Sequence, residues 1–372
     1  MKLPWAKPEE KSSTALIALS QLPGAVWGGH DPAALVRDGF AGNAVVYRCA
    51  RMIAEAAASI TFKCDDEAVA RLLQEPSPDE AGQAFFERLY TDLQIAGNAW
   101  AEAVTLDGDA QPRGLFGLRP DGVKIRHDDR GRLLGYAVRL HRGERLISRA
   151  GDGWLPVFHL KLYHPGDSRY GLSPLSAARK ALDVHNSSAG WAKSLIDNAA
   201  RPSGAPMYGK DGARLTDEQF ERLKTQLVEE HAGAANAGRP LLLEGGLDWK
   251  PMSLSPADMD FAETRHAAAR EIALAFGVPP MLLGIPGDNT YATYKEAHLA
   301  CWRRTVLPLV QKAANALTVW LRGRFEEVCI VPDLEQVPAF ASERDAVWAR
   351  SASADFLSAE EKRAMLGLEV ET

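Results

Sequence analysis

At 372 residues, 46% hydrophobic and 25% charged, the chain is long enough for two or three domain-sized cores and has the make-up of a soluble protein. Its formal charge of −6 argues against a general nucleic-acid binder, which needs a basic face, but is compatible with a protein that only surrounds DNA. No apolar run approaches the roughly 18 residues of a membrane span, and the N-terminal MKLPWAKPEEK lacks a signal-peptide core, so a soluble intracellular protein is expected.

Residues 1–42, rich in Gly, Pro and Ser (SQLPGAVWGGHDP), read as a mobile arm or extended strap. The first helix is expected over NAVVYRCARMIAEAAASI, where Val46, Cys49, Ile53, Ala56 and Ala57 form one stripe. A second is expected over SPDEAGQAFFERLYTDLQIAG, with Ser77 as N-cap, Pro78 in the first turn and Glu80 as cap-box acid. Residues 98–164 change period: NAWAEAVTL, GLFGLRP, VKIRH, LLGYAVRL and WLPVFHLKLY are short runs between Gly and Asp turns, which predicts a β-rich region. From Ser173, an N-cap followed by Pro174, one helix of about 40 Å is expected at 1.5 Å per residue. A small α+β insert follows, with a strand at 205–208, a helix from Thr216 and the strands PLLLEGG and LDWKPMS. The next helix, SPADMDFAETRHAAAREIALAFG, is capped by Ser255, Pro256 and Asp258 and stopped by Gly277. The loop VPPMLLGIPGDNTYA leads to a third long helix in which Leu299, Trp302, Val306, Leu309, Ala313, Leu317 and Trp320 recur every three or four residues and Pro308 predicts a kink. A strand at EVCIVPD and a helix capped by Ser358 and Glu361 end the pattern.

Several stretches imitate catalytic motifs. Gly204, Gly209 and Lys210 match the phosphate loop G-x-x-x-x-G-K-[ST], but Asp211 stands where a hydroxyl would ligate magnesium. The preceding NAARPS reads as a frayed helix end and DGAR as a turn, so the match is read as a short strand entering a turn. His159, His164 and Asp167 suggest a metal site, yet strand positions 159 and 164 point to opposite faces. GLSPL has Leu175 where a nucleophile elbow needs glycine, and Asp258 and Asp260 read as helix-start acids. The basic run Arg113, Arg119, Lys124, Arg126, Arg130, Arg132, Arg139, Arg142, Arg145 and Arg149 has few interleaved aromatics and reads as solvated strand edges. Cys49, Cys64, Cys301 and Cys329 form no C-x-x-C pair and read as reduced, mostly buried thiols. No catalytic, cofactor or metal residue is expected. In the helix after the insert, Ala267, Ala268, Ala269, Ala273 and Ala275 leave little bulk among Arg265, His266, Arg270 and Glu271. Close contact between subunits and ordinary packing against a sheet both fit that composition.

The order of elements and several phrases resemble the portal proteins of tailed bacteriophages and gene transfer agents. NAVVYRCARMIAEAAASI is similar to the family's first wing helix, and YHPGDSRYGLSPLSAARKAL to its turn into the first stem helix. LLEGGLDWKPMSLSPADMDFAETRHAAAREIALAFGVPPMLLGIPGDNTYATYKEA resembles the second stem helix and tunnel loop, and FLSAEEKRAMLGL the C-terminal helix. The resemblance spans roughly residues 43–370.

It implies an α+β portal fold: an arm over 1–42, a β-rich and helical wing over 43–170 and 295–340, stem helices over 171–200 and 255–278, a clip over 201–254, a tunnel loop over 279–294 and a short helical crown over 341–372. It further implies a ring of twelve copies at one capsid vertex of a virion or virion-like particle, assembled in the bacterial cytoplasm. Double-stranded DNA would pass through without sequence reading during packaging and ejection. The implied partners are the large terminase motor, a neck or adaptor protein and the major capsid protein, with no membrane and no enzymatic activity. On this reading Ile285, Pro286, Gly287, Asp288, Asn289, Thr290 and Tyr291 line the channel, with Ile285 and Pro286 as an apolar tip and Tyr291 and Tyr294 anchoring the loop's return. Arg265, Arg270 and Lys295 are candidate lumen charges, and Glu218, Glu221, Arg222 and Lys224 candidate clip contacts. A degenerate phosphate-loop enzyme and a neck adaptor ring protein are the alternatives; the helix–insert–helix–loop order sets the portal reading apart from the adaptor.

Overall fold

The computed structural model describes residues 32–105, 110–130, 132–197, 204–208, 216, 218, 221–222, 225, 247–251, 261–287 and 291–365. Helix α1, Ala44–Ala58, opens at Asn43, whose side-chain oxygen accepts from the amides of Val45 (3.0 Å) and Val46 (3.2 Å). Its expected stripe is inside: Val46, Cys49, Ile53 and Ala57 are buried and Ala56 packs against them. Within the segment read as an arm, Pro32–Ala34 runs into a π-helical turn, Leu35–Phe40. Burial of Leu35 and the close approach of Gly39 to Leu175 tie that turn to the core, so this part is no extended strap.

Helix α2, Glu67–Gln74, was not expected, although Asp66 caps it through the amides of Ala68 (2.8 Å) and Val69 (3.1 Å). Helix α3, Gly82–Ala96, starts later than Ser77, Pro78 and Glu80 suggest. Those residues form a turn, and Glu80 pairs with Arg88 at 2.8 Å instead of capping. The cause is tertiary: a Cβ on Gly82 would lie 2.3 Å from the Leu73 carbonyl, so only glycine lets this helix start against α2.

The β-rich region forms two antiparallel three-stranded sheets. In one, β2 (Asn98–Val104) lies between β3 (Gly114–Leu118) and β7 (Val157–Lys161). In the other, β5 (Leu133–Arg139) lies between β4 (Val123–His127) and β6 (Glu144–Ser148), a mostly exposed strand that the sequence pattern hides. A short ladder, β1 (Phe62–Cys64) on β10 (Ile330–Pro332), joins segments far apart in the chain.

Ser173 caps its helix as expected, but the rod is interrupted at Ala178, separating α4 (Pro174–Ala177) from α5 (Arg179–Asp197). Strands β8 (Gly204–Tyr208) and β9 (Leu247–Pro251) pair antiparallel, and α6 (Phe261–Phe276) returns beside α5. The third long helix is two α-segments, α7 (Tyr291–Cys301) and α8 (Leu307–Leu321), joined by a π-helical stretch, Trp302–Val306. Pro308 has no N–H to give the ladder, and the wider turn before it absorbs the misfit. Trp302, Val306, Leu309, Ala313 and Leu317 are buried as expected. Helix α9 (Ala341–Ser353) precedes α10 (Ala359–Met365), where Ser358 and Glu361 make the reciprocal capping box at 2.8 and 3.2 Å. One core gathers α1, α3, α6 and α8, and a smaller one, around Trp100, Tyr136 and Val138, lies under the second sheet. The four thiols are free; Cys49 and Cys301 are buried, Cys64 is half-buried and Cys329 exposed.

Asp92 on α3 lines a hollow of about 360 Å³ with Val36, Phe40, Ile95, Arg119 and Pro120. Burial pushes its carboxyl up to about 7, with Arg88 opposing. Between the ordinary carboxylate range and pH 7 the folded chain therefore holds a proton that the unfolded chain has released, and stability falls as pH rises through that window. Asp92→Asn is expected to raise the melting temperature at pH 8, with the gain closing towards pH 4. An equal gain at both pH values in thermal melts would contradict this.

Candidate functional site

The segment after α6 has far more structure than its Gly and Pro content suggests. Gly277 (φ 70°) ends the helix in a Schellman motif: Val278 N–H donates to the Ala273 carbonyl at 2.9 Å and Gly277 N–H to Leu274 at 3.0 Å. The buried Val278 supplies the apolar contact of that motif. Thr305, in the π-helical stretch, donates its hydroxyl to the Gly277 carbonyl at 2.7 Å. Pro280–Leu283 then forms a 3₁₀ turn that ends at Gly284 (φ 71°).

This arrangement corrects one expectation. Ile285 is only 7% exposed, so it is an anchor under the turn and not part of an apolar tip. Beside it, Gly284, Pro286 and Gly287 are exposed. Tyr294 is 48% exposed. Tyr291 begins α7, but its side chain, like Asp288, Asn289 and Thr290, lies outside the described residues.

Among the candidate lumen charges, Arg265 and Lys295 are exposed. Arg270 is engaged: its guanidinium donates to the Pro286 carbonyl, 16 residues along the chain. Helix α6 buries Ala268, Ala269, Ile272, Ala273 and Phe276 against α5 and α1, and exposes Glu263, Ala267, Arg270, Glu271 and Leu274, the last by 78%. Its small inward residues thus serve helix–helix contact within one chain.

A buried polar joint holds the base of α5. Asn43 donates from its amide to His185 Nδ1 (2.9 Å) and to Asn186 Oδ1 (2.7 Å), while Asn186 donates to the Asp38 carbonyl (2.8 Å). Burial, reinforced by the Arg265 charge, pushes the His185 pKa down and favours the neutral ring that accepts from Asn43.

In the phosphate-loop look-alike, Gly204–Tyr208 is one arm of the β8–β9 ladder, with Pro206 opposite Trp249 and Tyr208 opposite Leu247. Gly209, Lys210 and Asp211 lie outside the described residues. Glu218, Glu221 and Arg222 occupy helical, exposed positions; Lys224 is outside the described residues. The three residues weighed for a metal have separate local partners. His159 stacks on Trp100 (4.7 Å between centroids), and its Nε2–H donates to Asn98 Oδ1 at 3.1 Å while Nδ1 accepts from the Tyr136 hydroxyl at 3.2 Å. Burial pushes its pKa down to about 3. His164 accepts from the Gly166 amide and Asp167 from that of Arg169. Within the basic run, Arg119 and Arg139 pair with Asp121, Arg126 with Glu144, Arg132 with Asp128 and Arg145 with Glu102.

The comparisons with known proteins agree on one family. The phage portal protein family matches residues 44–367. A protein of Rickettsia bellii (strain RML369-C) is 41% identical over 346 residues, covering 89% of this chain and 88% of that protein. The portal protein of Enterobacteria phage HK97 is 25% identical over 256 residues, 68% of this chain and 58% of its own length. A chain in the neck of a native gene transfer agent particle, computed with C12 symmetry, superposes with a TM-score of 0.71 at 48% identity, over 96% of this chain and 99% of that one. Matched across nearly all of its described core, the chain belongs to the phage portal protein family.

Proposed function

We propose that this portal protein assembles as a ring of twelve copies at one capsid vertex of a virion-like particle, a channel through which double-stranded DNA is packaged and ejected. The observation that carries the reading is the pairing of α5 with α6: two helices rise side by side from one core, joined through the β8–β9 ladder and followed by the turn at 280–287. Such a strut pair, repeated around an axis, makes a tube wall. The twelvefold symmetry of the related particle neck supports that number. Wing, stem, clip and crown take the boundaries that the family resemblance implies, with 279–294 as the channel loop.

A channel for any sequence needs no base-reading side chains and only a weak phosphate grip, since tight contacts would stall movement. The overall charge of −6 and the pairing of the basic strand arginines with acids suit that requirement. On this reading, Glu218, Glu221, Arg222 and Lys224 meet neighbouring copies, the terminase motor and, later, the neck protein. The wing faces the major capsid protein, and assembly takes place in the bacterial cytoplasm. We assign the chain no catalytic role; hydrolysis of ATP falls to the motor. Electron microscopy of the purified protein is expected to show twelvefold rings. A monomer of 40.5 kDa that binds ATP saturably would overturn the proposal in favour of the enzyme.

A further inference from the structure

We infer that Arg270 is the positioning residue of the channel loop: a latch that makes the chain as far as Gly287 move as part of helix α6. The inference rests on the assignment of the 279–294 segment above. Three ties hold the segment from Gly277 to Gly287. The Schellman motif and the Thr305 hydroxyl fix its first residue. The buried Ile285 side chain fixes it two residues short of its end. Neither reaches the exposed end, and there Arg270 donates to the Pro286 carbonyl. Pro286 has no N–H, so this carbonyl is its sole backbone hydrogen-bonding group. A Cβ built on Gly287 would lie 3.6 Å from the same guanidinium nitrogen, which places the planar group against the Gly287 backbone as well.

Chemically the latch suits arginine. A guanidinium carries five N–H donors in a rigid fork, so one bond to a carbonyl leaves four donors to adjust. A charged donor on a neutral carbonyl also makes a stronger bond than a neutral pair. The positive charge is thus held at the base of the exposed tip instead of reaching independently into the lumen. Displacement of α6 carries Ile285, Pro286 and Gly287 with it.

The test uses DNA-free rings of the full chain, wild type and Arg270→Met, followed by hydrogen exchange. Arg270 is exposed, so the substitution leaves the core intact, and unchanged exchange in α1 and α8 serves as the check on folding. The latch predicts that the amides of Gly284 and Ile285, which donate to the Met281 and Pro280 carbonyls, exchange about tenfold faster in Arg270→Met, the worth of one charge-assisted hydrogen bond, with the rest of the ring unaltered. Unchanged exchange at Gly284 and Ile285 overturns the latch, because a charge that acted only on DNA would not alter a DNA-free ring. A second readout separates this from the channel assignment. Particles built with Arg270→Met rings are expected to retain severalfold less DNA. Faster exchange with normal DNA content would leave the latch standing and remove the loop from the channel.

Discussion

Gly97→Ala is expected to yield little soluble protein, and what folds should melt more than about 8 °C below wild type. Gly97 closes α3 in the left-handed region (φ 71°), which costs an alanine about 1–2 kcal/mol. The larger effect is steric. A Cβ there would lie 2.6 Å from the Ser173 amide nitrogen, 2.7 Å from the Gly171 carbonyl oxygen and 2.7 Å from the Leu172 carbonyl carbon. All three are backbone atoms, with no rotamer to yield. Relieving the clash means pulling 171–173 away from the end of α3, which breaks the Asn98 bond to the Gly171 amide (2.7 Å) and the Ser173 hydroxyl bond to Gln94 (2.9 Å). Strain, clash and broken buried bonds together amount to about 3–5 kcal/mol, a large share of a typical domain's stability. Gly143→Ala provides the control: its φ is 92° but nothing lies within 4 Å, so only the backbone term remains. Equal melting temperatures for the two variants would show that the crowding at Gly97 does not matter.

Gly287→Pro is expected to assemble normal rings that leave most particles empty of DNA. Gly287 is exposed and outside every core, so the substitution spares folding. Proline fixes its own φ near −65° and pushes the preceding residue towards extended backbone. The preceding residue is Pro286, whose carbonyl Arg270 holds, so the change stiffens the tip at its acceptor. If this loop lines the narrowest part of the channel, a rigid tip cannot yield as helical DNA advances. DNA content per particle is the measurement, and normal filling with Gly287→Pro rings would show that the loop lies elsewhere.

Much of the fold was legible because burial leaves a period. The stripe of Val46, Cys49, Ile53 and Ala57 has the helical spacing, and the runs around β2, β5 and β7 alternate or are apolar throughout. What escaped depends on contacts between distant residues. The late start of α3 comes from Gly82 against a carbonyl of another helix, and the mostly exposed β6 buries Ile147 alone, too little to show a period. In the candidate site, glycines and prolines announced the segment at 284–287 but not its tethering. Ile285 looked like a tip because nothing local says that it is covered. Arg270 looked like a free charge because its acceptor is a backbone carbonyl, which any residue at 286 would have carried.

The β1–β10 ladder has a consequence for synthesis. Phe62–Cys64 must wait for Ile330–Pro332, and the chain between them takes roughly 13–50 s to make at 5–20 residues per second. For most of that interval α1 and α3 have left the ribosome without α8, and the surfaces that Val310, Leu317 and Leu321 will cover remain open to water. The nascent chain therefore carries a sticky half-core for most of its translation, while the residues between β7 and α8 emerge. A chaperone that shields this half-core early would raise yield, whereas one supplied after release would find the ladder closed.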